Sequence, residues 1–277
     1  MKATTNVTLA RIFSIALLAG ALSINGALAT TTVFNLVDGN STADINVGST
    51  AGMFNWTVDG QDQLVQQWFA YRVGSTGDEI PINYLPLISA VQTGGNQLSS
   101  LYGTTAFTIR LDYVLNGQGS GMASINESIT INNLGQSPLD MHFFQYSDFD
   151  ILGSGGNDVG ALGKSGGLFN YATQGDGSLL SPFFTETVLT PGANHGEIAF
   201  SPSILLRLGN GVPDTLSDFA GPLGPGDITW AFQWDLTIAP GSSELISKVK
   251  YLTVPEPSSF ALVSLGLFAL LARRRRA

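Results

Sequence analysis

The sequence of 277 residues contains no cysteine, only two histidines and few charged side chains. Without cysteine the chain forms neither disulfides nor thiolate metal sites such as zinc fingers and iron–sulfur clusters, and thiol catalysis is excluded. Charged residues make up 12% of the chain, about half the usual share, which excludes disorder driven by high charge. So few acid–base groups leave little from which an active site can be built.

Basic charge is especially scarce in the middle of the chain. Residues 30–254 hold 20 acidic and six basic side chains, so their formal charge is 6 − 20 = −14. The other six basic residues lie in the two terminal segments. An acidic domain repels phosphate backbones and anionic lipids, so nucleic acid is excluded as a partner, whereas divalent cations are compatible with this charge.

The first segment has the layout of an export signal. Basic residues precede the apolar run 12–22, and Ala27 and Ala29 form an A-x-A cleavage site. This order predicts a secretory signal peptide over residues 1–29, cut after Ala29. The alternative is an N-terminal membrane anchor, but the run is shorter than the ~20 residues that a spanning helix needs.

The last segment combines a proline-rich motif, a short apolar stretch and a basic cluster. The stretch predicts a short transmembrane helix over about residues 259–272, and the cluster fixes its end on the cytoplasmic side. The motif residues are Pro255, Glu256 and Pro257, and the cluster consists of Arg273, Arg274, Arg275 and Arg276.

This arrangement resembles the PEP-CTERM sorting signal of Gram-negative bacteria, in which the same three features follow one another at the end of an exported protein. The resemblance implies export across the inner membrane, a membrane-anchored intermediate, and cleavage by an exosortase-like processing enzyme. It also implies release or attachment at the cell surface, often together with exopolysaccharide production. The alternative is an ordinary tail anchor without processing.

The middle of the chain is rich in alternating apolar and polar residues. In residues 228–238 every second side chain is large and apolar, which is the period of a half-buried strand. We therefore predict an all-β fold, a single antiparallel β-sandwich or jelly roll over residues 30–253, flanked by the signal peptide and by the sorting segment 254–277. Further strands are predicted at 32–37, 54–58, 64–73, 87–92, 107–113, 125–131, 139–146, 198–206 and 245–254.

Residues 151–181 contain nine glycines, which predicts a long loop or a poorly ordered insert, and a long loop is where a functional site is expected. Asp148, Asp150, Asn157 and Asp158 flank these glycines and suit calcium, which takes six to eight oxygen ligands. The spacing fits no known calcium loop, and the alternative is a set of Asx turns at a strand end. No other cofactor is predicted.

The remaining candidates each have a structural alternative. His142 lies in an apolar strand, where we expect a partly buried imidazole whose hydrogen bonds are satisfied, and His195 lies in a turn. Gly163-Lys164-Ser165-Gly166-Gly167 fits G-x-S-x-G without the strand and helix that a nucleophile elbow needs. Trp230 and Trp234 are predicted to fill the core, whereas Trp56 and Trp68 are candidates for a sugar-stacking platform.

These observations favour an exported, non-enzymatic protein of the cell surface or extracellular matrix. The first alternative is a carbohydrate-binding module that acts on exopolysaccharide, with or without calcium. A hydrolase of surface polymers is the second alternative, and it requires two carboxylates that face each other across a cleft.

Overall fold

The computed structural model describes residues 32–177 and 183–254, which form two nine-stranded β-sheets packed face to face. Sheet 1 has the order β1 (Val33–Asp38), β2 (Ser41–Asn46), β3 (Gly52–Val58), β5 (Leu64–Val73), β11 (Leu139–Phe149), β17 (Ile228–Ile238) and β15 (His195–Phe200), with β4 (Gln61–Asp62) beside β3 and β6 (Ile80–Pro81) beside β5. Sheet 2 has the order β16 (Leu223–Gly226), β12 (Asp158–Ser165), β13 (Leu168–Asp176), β14 (Phe184–Thr190), β18 (Ser243–Thr253), β10 (Met122–Asn133), β9 (Phe107–Gly119), β8 (Gln97–Gly103) and β7 (Leu87–Thr93).

Neighbouring strands pair antiparallel except β3 and β5, which are parallel. The described helices are short: α1 (Ser203–Leu208) and three 3-10 turns at Ile82–Tyr84, Ile151–Gly153 and Gly155–Asn157. None of these helices has the length and apolar character needed to cross a membrane. The prediction of an all-β fold is confirmed.

The core lies between the two sheets and is dominated by aromatic rings. Trp230, Phe232 and Trp234 point inward from β17 at alternate positions and are fully buried, as predicted. The Trp230 ring lies 6.3 Å from that of Phe149 and 5.9 Å from that of Phe184, which comes from sheet 2. Burying such a side chain contributes about 1.5–3 kcal/mol, so these rings join the sheets firmly.

The prediction of a long loop over residues 151–181 is wrong for residues 151–177, the part of this segment that the structure describes. After two 3-10 turns, β12 and β13 form an antiparallel hairpin that belongs to sheet 2. A Cβ on Gly163 would lie 1.8 Å from the Tyr171 ring across the hairpin, so this glycine leaves room for that half-exposed ring inside a strand. Gly166 and Gly167 take positive φ in the turn.

The strand predicted over residues 198–206 is only partly present. β15 ends at Phe200, and α1 begins directly after Pro202. Proline suits the start of a helix, and Ile204 and Leu208, one turn apart, bury their side chains against sheet 1. Apolar residues at positions i and i+4 are typical of a helix, but here they follow directly on the apolar strand residues, so the whole run was predicted as a strand.

Candidate functional site

The outer face of sheet 1, opposite the core, is covered by the segment 201–219, which includes α1. Phe144 and Tyr146 of β11 pack there against Ile204, Leu208 and Leu216 in a second apolar cluster. This face therefore offers a covered apolar surface outside the main core, where sites commonly form.

Polar contacts fix segment 201–219 over the sheet. Arg72 of β5 forms an ion pair with Glu79 and donates a hydrogen bond to the Asp214 carbonyl at 2.9 Å. The Asp214 N–H donates to Glu79 Oε1 at 2.9 Å, and the Leu216 N–H donates to Gln233 Oε1 at 3.0 Å. The cover is thus attached to the sheet by hydrogen bonds as well as by apolar packing.

A cavity of about 310 Å³ opens between this cover and sheet 1. Its walls combine aromatic rings with a few polar groups. The lining residues include Gln66, Trp68, Asp78, Glu79, Tyr84, Phe144, Tyr146, Leu205 and Leu208. Tyr84 is 73% exposed at the edge, whereas the other rings are buried in the wall.

Glu79 is the unusual member of this lining, because only 4% of the residue is exposed. Burial raises its pKa, against the lowering effects of the Asp214 N–H and of Arg72. Its Oε1 accepts those contacts, but Oε2 is buried and has no hydrogen-bond partner. An unsatisfied buried carboxylate oxygen is costly, so a ligand hydroxyl that met Oε2 after a small rotation of the side chain toward the cavity would relieve that cost.

The calcium candidates are only partly brought together. Asp148 and Asp150 lie with Asp227, each offering one oxygen, and these three oxygens lie within 4.8 Å of one another. Asp227 precedes β17 and is far away in sequence, so the local motif search missed it. Three carboxylates can hold a cation, but calcium needs further oxygen ligands.

Asn157 and Asp158 point to other partners. Asn157 donates to Asp176 at 2.9 Å. Asp158 accepts from Gln174 at 2.7 Å and from the Ile151 N–H at 3.3 Å. Burial raises the pKa of Asp158 to about 7, and its hydrogen bonds are made by Oδ2, while Oδ1 is buried without a partner. The residues that lie close enough to share a calcium ion are therefore Asp148, Asp150 and Asp227, and calcium binding stays a prediction.

Asp148→Asn is expected to stabilise the protein at neutral pH. Burial raises the pKa of Asp148 to about 6, and Asp227 and Asp150 add to the shift against the Tyr146 hydrogen bond. Because the folded-state pKa lies above the unfolded value of 3.8, stability falls as the pH rises from 3.8 to about 6, and the full cost remains above pH 6. Thermal unfolding at pH 7.5 should show a gain of about 1–2 kcal/mol, or roughly 2–8 °C, which vanishes at pH 4.

The control for that experiment is Asp112→Asn, because Asp112 lies on β9 of the other sheet. It should leave the melting temperature unchanged at both pH values. An unchanged melting temperature for Asp148→Asn at pH 7.5 would contradict the cost assigned to its ionisation. Added calcium should raise the melting temperature of the wild type but not of Asp227→Asn if the cluster binds the ion.

Both histidines lie on the outer face of sheet 1 and share one carboxylate. Asp235 Oδ1 is 2.6 Å from His142 Nδ1, and its Oδ2 is 3.3 Å from His195 Nε2. His195 Nδ1 is also 3.0 Å from Asp218, so His195 is bound at the start of β15 and does not lie free in a turn. Burial acts to raise the pKa of Asp235, but hydrogen bonds from Gln233 and His142 hold it lower.

The histidines are thus engaged by carboxylates, and Ser165 lies in the β12–β13 hairpin, where its N–H donates to Asn170.

The tryptophans predicted as a stacking platform are both buried. Trp56 donates to Ser41 at 3.1 Å within the core, and Trp68 donates to Asn83 at 3.0 Å while lining the cavity. An exposed tryptophan platform is therefore absent from the described residues.

Four charged side chains lie together inside the core, between the sheets. This charge cluster consists of Glu127 of β10, Glu186 of β14, and Lys248 and Lys250 of β18, all at most 2% exposed. Lys248 Nζ is 2.6 Å from Glu127 Oε2, and Lys250 Nζ is 2.6 Å from Glu127 Oε1. Sequence analysis missed this cluster.

The signal of the charge cluster was nonetheless in the sequence. Lys248 and Lys250 occupy the same strand phase as the buried Ile246 and Leu252. Because side chains alternate between the two faces of a strand, the two lysines are expected to point into the core. A buried charge needs an opposite charge nearby, so carboxylate partners are expected as well.

The predicted targeting residues lie outside the described residues. Ala27 and Ala29 of the signal peptide belong to the undescribed residues 1–31, and the Pro255-Glu256-Pro257 motif and Arg273–Arg276 belong to residues 255–277. Sequence comparison supports the C-terminal segment, and the signal peptide stays a prediction.

Comparison with solved structures shows the fold. A bacterial glucoamylase complexed with acarbose is 13% identical, with a TM-score of 0.54 over 84% of this chain and 34% of the other, so the chain spans about a third of the glucoamylase. A galactose mutarotase related enzyme from Lactobacillus acidophilus is 6% identical, with a TM-score of 0.51 over 81% of this chain and 98% of the other. No curated protein sequence matches the chain.

Comparison with protein families identifies the end of the chain. Residues 253–276 match the family described as the PEP-CTERM protein-sorting motif. This segment contains the Pro-Glu-Pro motif, the apolar stretch and the arginine cluster. The chain therefore carries a PEP-CTERM protein-sorting motif, which implies export and processing by an exosortase-type system.

Proposed function

We propose that this protein is a non-enzymatic component of the cell surface or extracellular matrix of a Gram-negative bacterium, and that it binds a carbohydrate chain in the cavity on sheet 1. Sorting by an exosortase-type system would deliver the domain to the environment where exopolysaccharide accumulates. The observation that carries the binding proposal is the buried Glu79 in an aromatic cavity, with one oxygen unpartnered.

The chemistry of the cavity suits a sugar unit. A sugar ring has apolar C–H faces and a rim of hydroxyl groups, so it is bound by aromatic side chains together with a few hydrogen-bonding groups. Tyr84 supplies an exposed ring, the buried Trp68 and Phe144 form apolar wall behind it, and Gln66 and Glu79 belong to the polar part of the lining. The volume of about 310 Å³ is at the lower end of ligand sites, roughly 300–1,000 Å³, which favours one unit of a chain over a bulky ligand.

The placement of the carboxylates favours binding over hydrolysis. Glycosidases of the common type place two carboxyl groups on opposite sides of the bond they cleave. The carboxylates that line this cavity, Asp78 and Glu79, are consecutive residues on one wall. Glu79 also pairs with Arg72 and accepts a hydrogen bond from the Asp214 N–H, so its role is to attach segment 201–219 to the sheet rather than to transfer protons.

The structural neighbours add limited support, because at 13% and 6% identity they share only the fold. Their names connect one with acarbose and the other with galactose.

The aspartate cluster adjoins the same cavity, because Tyr146 lines the cavity and donates a hydrogen bond to Asp148 at 3.1 Å. A calcium ion bound there would therefore orient Tyr146, which gives the calcium-dependent form of the proposal a physical route.

Tyr84→Ala is expected to weaken carbohydrate binding by about tenfold or more, which corresponds to about 1.4 kcal/mol. Tyr84 is largely exposed at the cavity edge, so the change removes stacking area with little effect on folding. The measurement is a calorimetric isotherm with oligosaccharides prepared from the exopolysaccharide of the source bacterium, with calcium and with chelator.

Tyr171→Ala is the matched control, because Tyr171 is an exposed tyrosine on β13 of sheet 2 and does not line the cavity. It should bind like the wild type. Equal affinity of wild type, Tyr84→Ala and Tyr171→Ala would place the binding site elsewhere. No binding to any prepared oligosaccharide would leave a surface component without a carbohydrate ligand.

A further inference from the structure

We propose that Lys248 and Gln145 form an intramolecular isopeptide bond that links the two sheets covalently. Lys248 belongs to β18 of sheet 2 and Gln145 to β11 of sheet 1. Their side chains meet in the core, where Lys248 Nζ donates a hydrogen bond to Gln145 Oε1. An amine held directly against a carboxamide is the arrangement from which amide exchange can start.

Both ends of the Gln145 carboxamide are held in place. Its oxygen accepts from Lys248, and its nitrogen donates to Glu186 Oε2 at 3.0 Å and to Ser147 Oγ at 3.1 Å. The amide therefore cannot rotate away from the amine without breaking buried hydrogen bonds. Fixed geometry of this kind supplies much of the barrier reduction in an intramolecular reaction.

Two carboxylates are placed to move the protons. Glu127 Oε2 is 2.6 Å from Lys248 Nζ, so it can take the proton that keeps the amine unreactive. Glu186 touches both reacting groups, because its Oε1 is 3.5 Å from Lys248 Nζ and its Oε2 accepts from the Gln145 nitrogen. It can therefore carry a second proton from the nucleophile to the leaving group, as a general base and then a general acid.

The surroundings favour the neutral amine and exclude water. Lys248, Gln145 and Glu186 are fully buried, and the Phe69 ring lies 4.9 Å from Lys248 Nζ. Burial is the main cause that lowers the pKa of Lys248, and the neighbouring carboxylates oppose it. Exclusion of water also protects the new amide from hydrolysis.

The reaction balances without an oxidant or a second reactant. The Lys248 ammonium gives one proton to Glu127, and the free amine attacks Gln145 Cδ to form the Nζ–Cδ bond. A second proton passes through Glu186 to Nε2, the Cδ–Nε2 bond breaks, and ammonia leaves. Lys250 stays charged, 3.3 Å from Glu186 Oε2 and 2.6 Å from Glu127 Oε1, and so preserves charge balance in the core.

The test is the mass of the purified full chain compared with its Gln145→Met variant. The wild type should be lighter than its sequence requires by one ammonia, about 17 Da, and the variant should show no deficit. After trypsin, residues 111–164 should appear joined to a peptide that spans residue 248, since a modified lysine is not cleaved.

The wild-type measurement decides the proposal even if Gln145→Met fails to fold. A mass equal to that of the unmodified chain, with the peptides of residues 145 and 248 recovered separately, would overturn it. A deficit of one water would also overturn it, because it would make Glu127 or Glu186 the acylating partner. Lys164→Arg, at an exposed lysine outside the charge cluster, is the matched control, and it should keep the full deficit of one ammonia.

Discussion

Lys250→Met is expected to lower the free energy of unfolding by about 3–5 kcal/mol, because it leaves buried carboxylate charge without its cation. Lys250 Nζ is 2.6 Å from Glu127 and 3.3 Å from Glu186 and is fully buried. Burial alone would lower the pKa of Lys250, but these two carboxylates hold it above its ordinary value. Methionine fills most of the space of the lysine stem, so lost charge rather than a cavity dominates the effect.

The loss should depend on pH in a defined direction. Without Lys250, the folded-state pKa of the stranded carboxyl group lies above its unfolded value, so protonation relieves the cost. The destabilisation is therefore largest at neutral pH and shrinks as the pH falls through the raised folded pKa. Urea unfolding at pH 7.5 and pH 5 measures both quantities.

Two further variants separate charge from packing. Lys250→Met combined with Glu186→Gln removes one charge of each sign and should recover part of the lost stability. Lys164→Met changes an exposed lysine and should cost less than about 1 kcal/mol. A Lys250→Met protein as stable as the Lys164→Met protein at pH 7.5 would contradict the buried charge cluster.

Replacing Pro255-Glu256-Pro257 with three alanines is expected to abolish sorting. The PEP-CTERM motif at residues 253–276 implies a membrane-anchored intermediate that an exosortase-type enzyme processes. In a pulse–chase experiment, the wild type should shift from a membrane-bound precursor to a smaller mature form. The alanine variant should stay as a precursor in the membrane fraction.

The control for sorting is a pair of serine-to-alanine changes at Ser242 and Ser243, exposed residues at the start of β18. This protein should be processed at the wild-type rate, because the motif is intact. Normal maturation of the triple-alanine variant would show that processing does not depend on the motif, and a wild type that stays a membrane-bound precursor would show that the terminal segment acts as a plain anchor. The pulse–chase result does not depend on what the cavity on sheet 1 binds.

Alternating strands were the most predictable part of the fold. The predicted bounds of the alternating β17, 228–238, agree with the structure, and so do those of β5, 64–73, which aromatic and β-branched content indicated instead. Long alternation leaves one choice of buried face, and that face also determines where Trp230 and Trp234 lie. The hairpin of β12 and β13 was missed because its glycines, usually a loop signal, fit beneath a tyrosine inside strands.

The candidate site was less predictable because it joins distant parts of the chain. Asp227 joins Asp148 and Asp150 only after β17 has paired with β11. The cavity needs α1 folded over β5 and β11, and its buried Glu79 is recognisable only once Arg72 and Asp214 surround it. Local patterns specify which face of a strand is buried, but not which other elements cover the opposite face.

The most direct test of the proposed function is a crystal structure of the exported domain soaked with an oligosaccharide that gives a saturable isotherm. We expect a sugar unit in the cavity of sheet 1, stacked on Tyr84, with the Glu79 side chain rotated so that Oε2 accepts a hydrogen bond from a sugar hydroxyl. A sugar bound at another surface, with this cavity filled only by water, would overturn the proposed function.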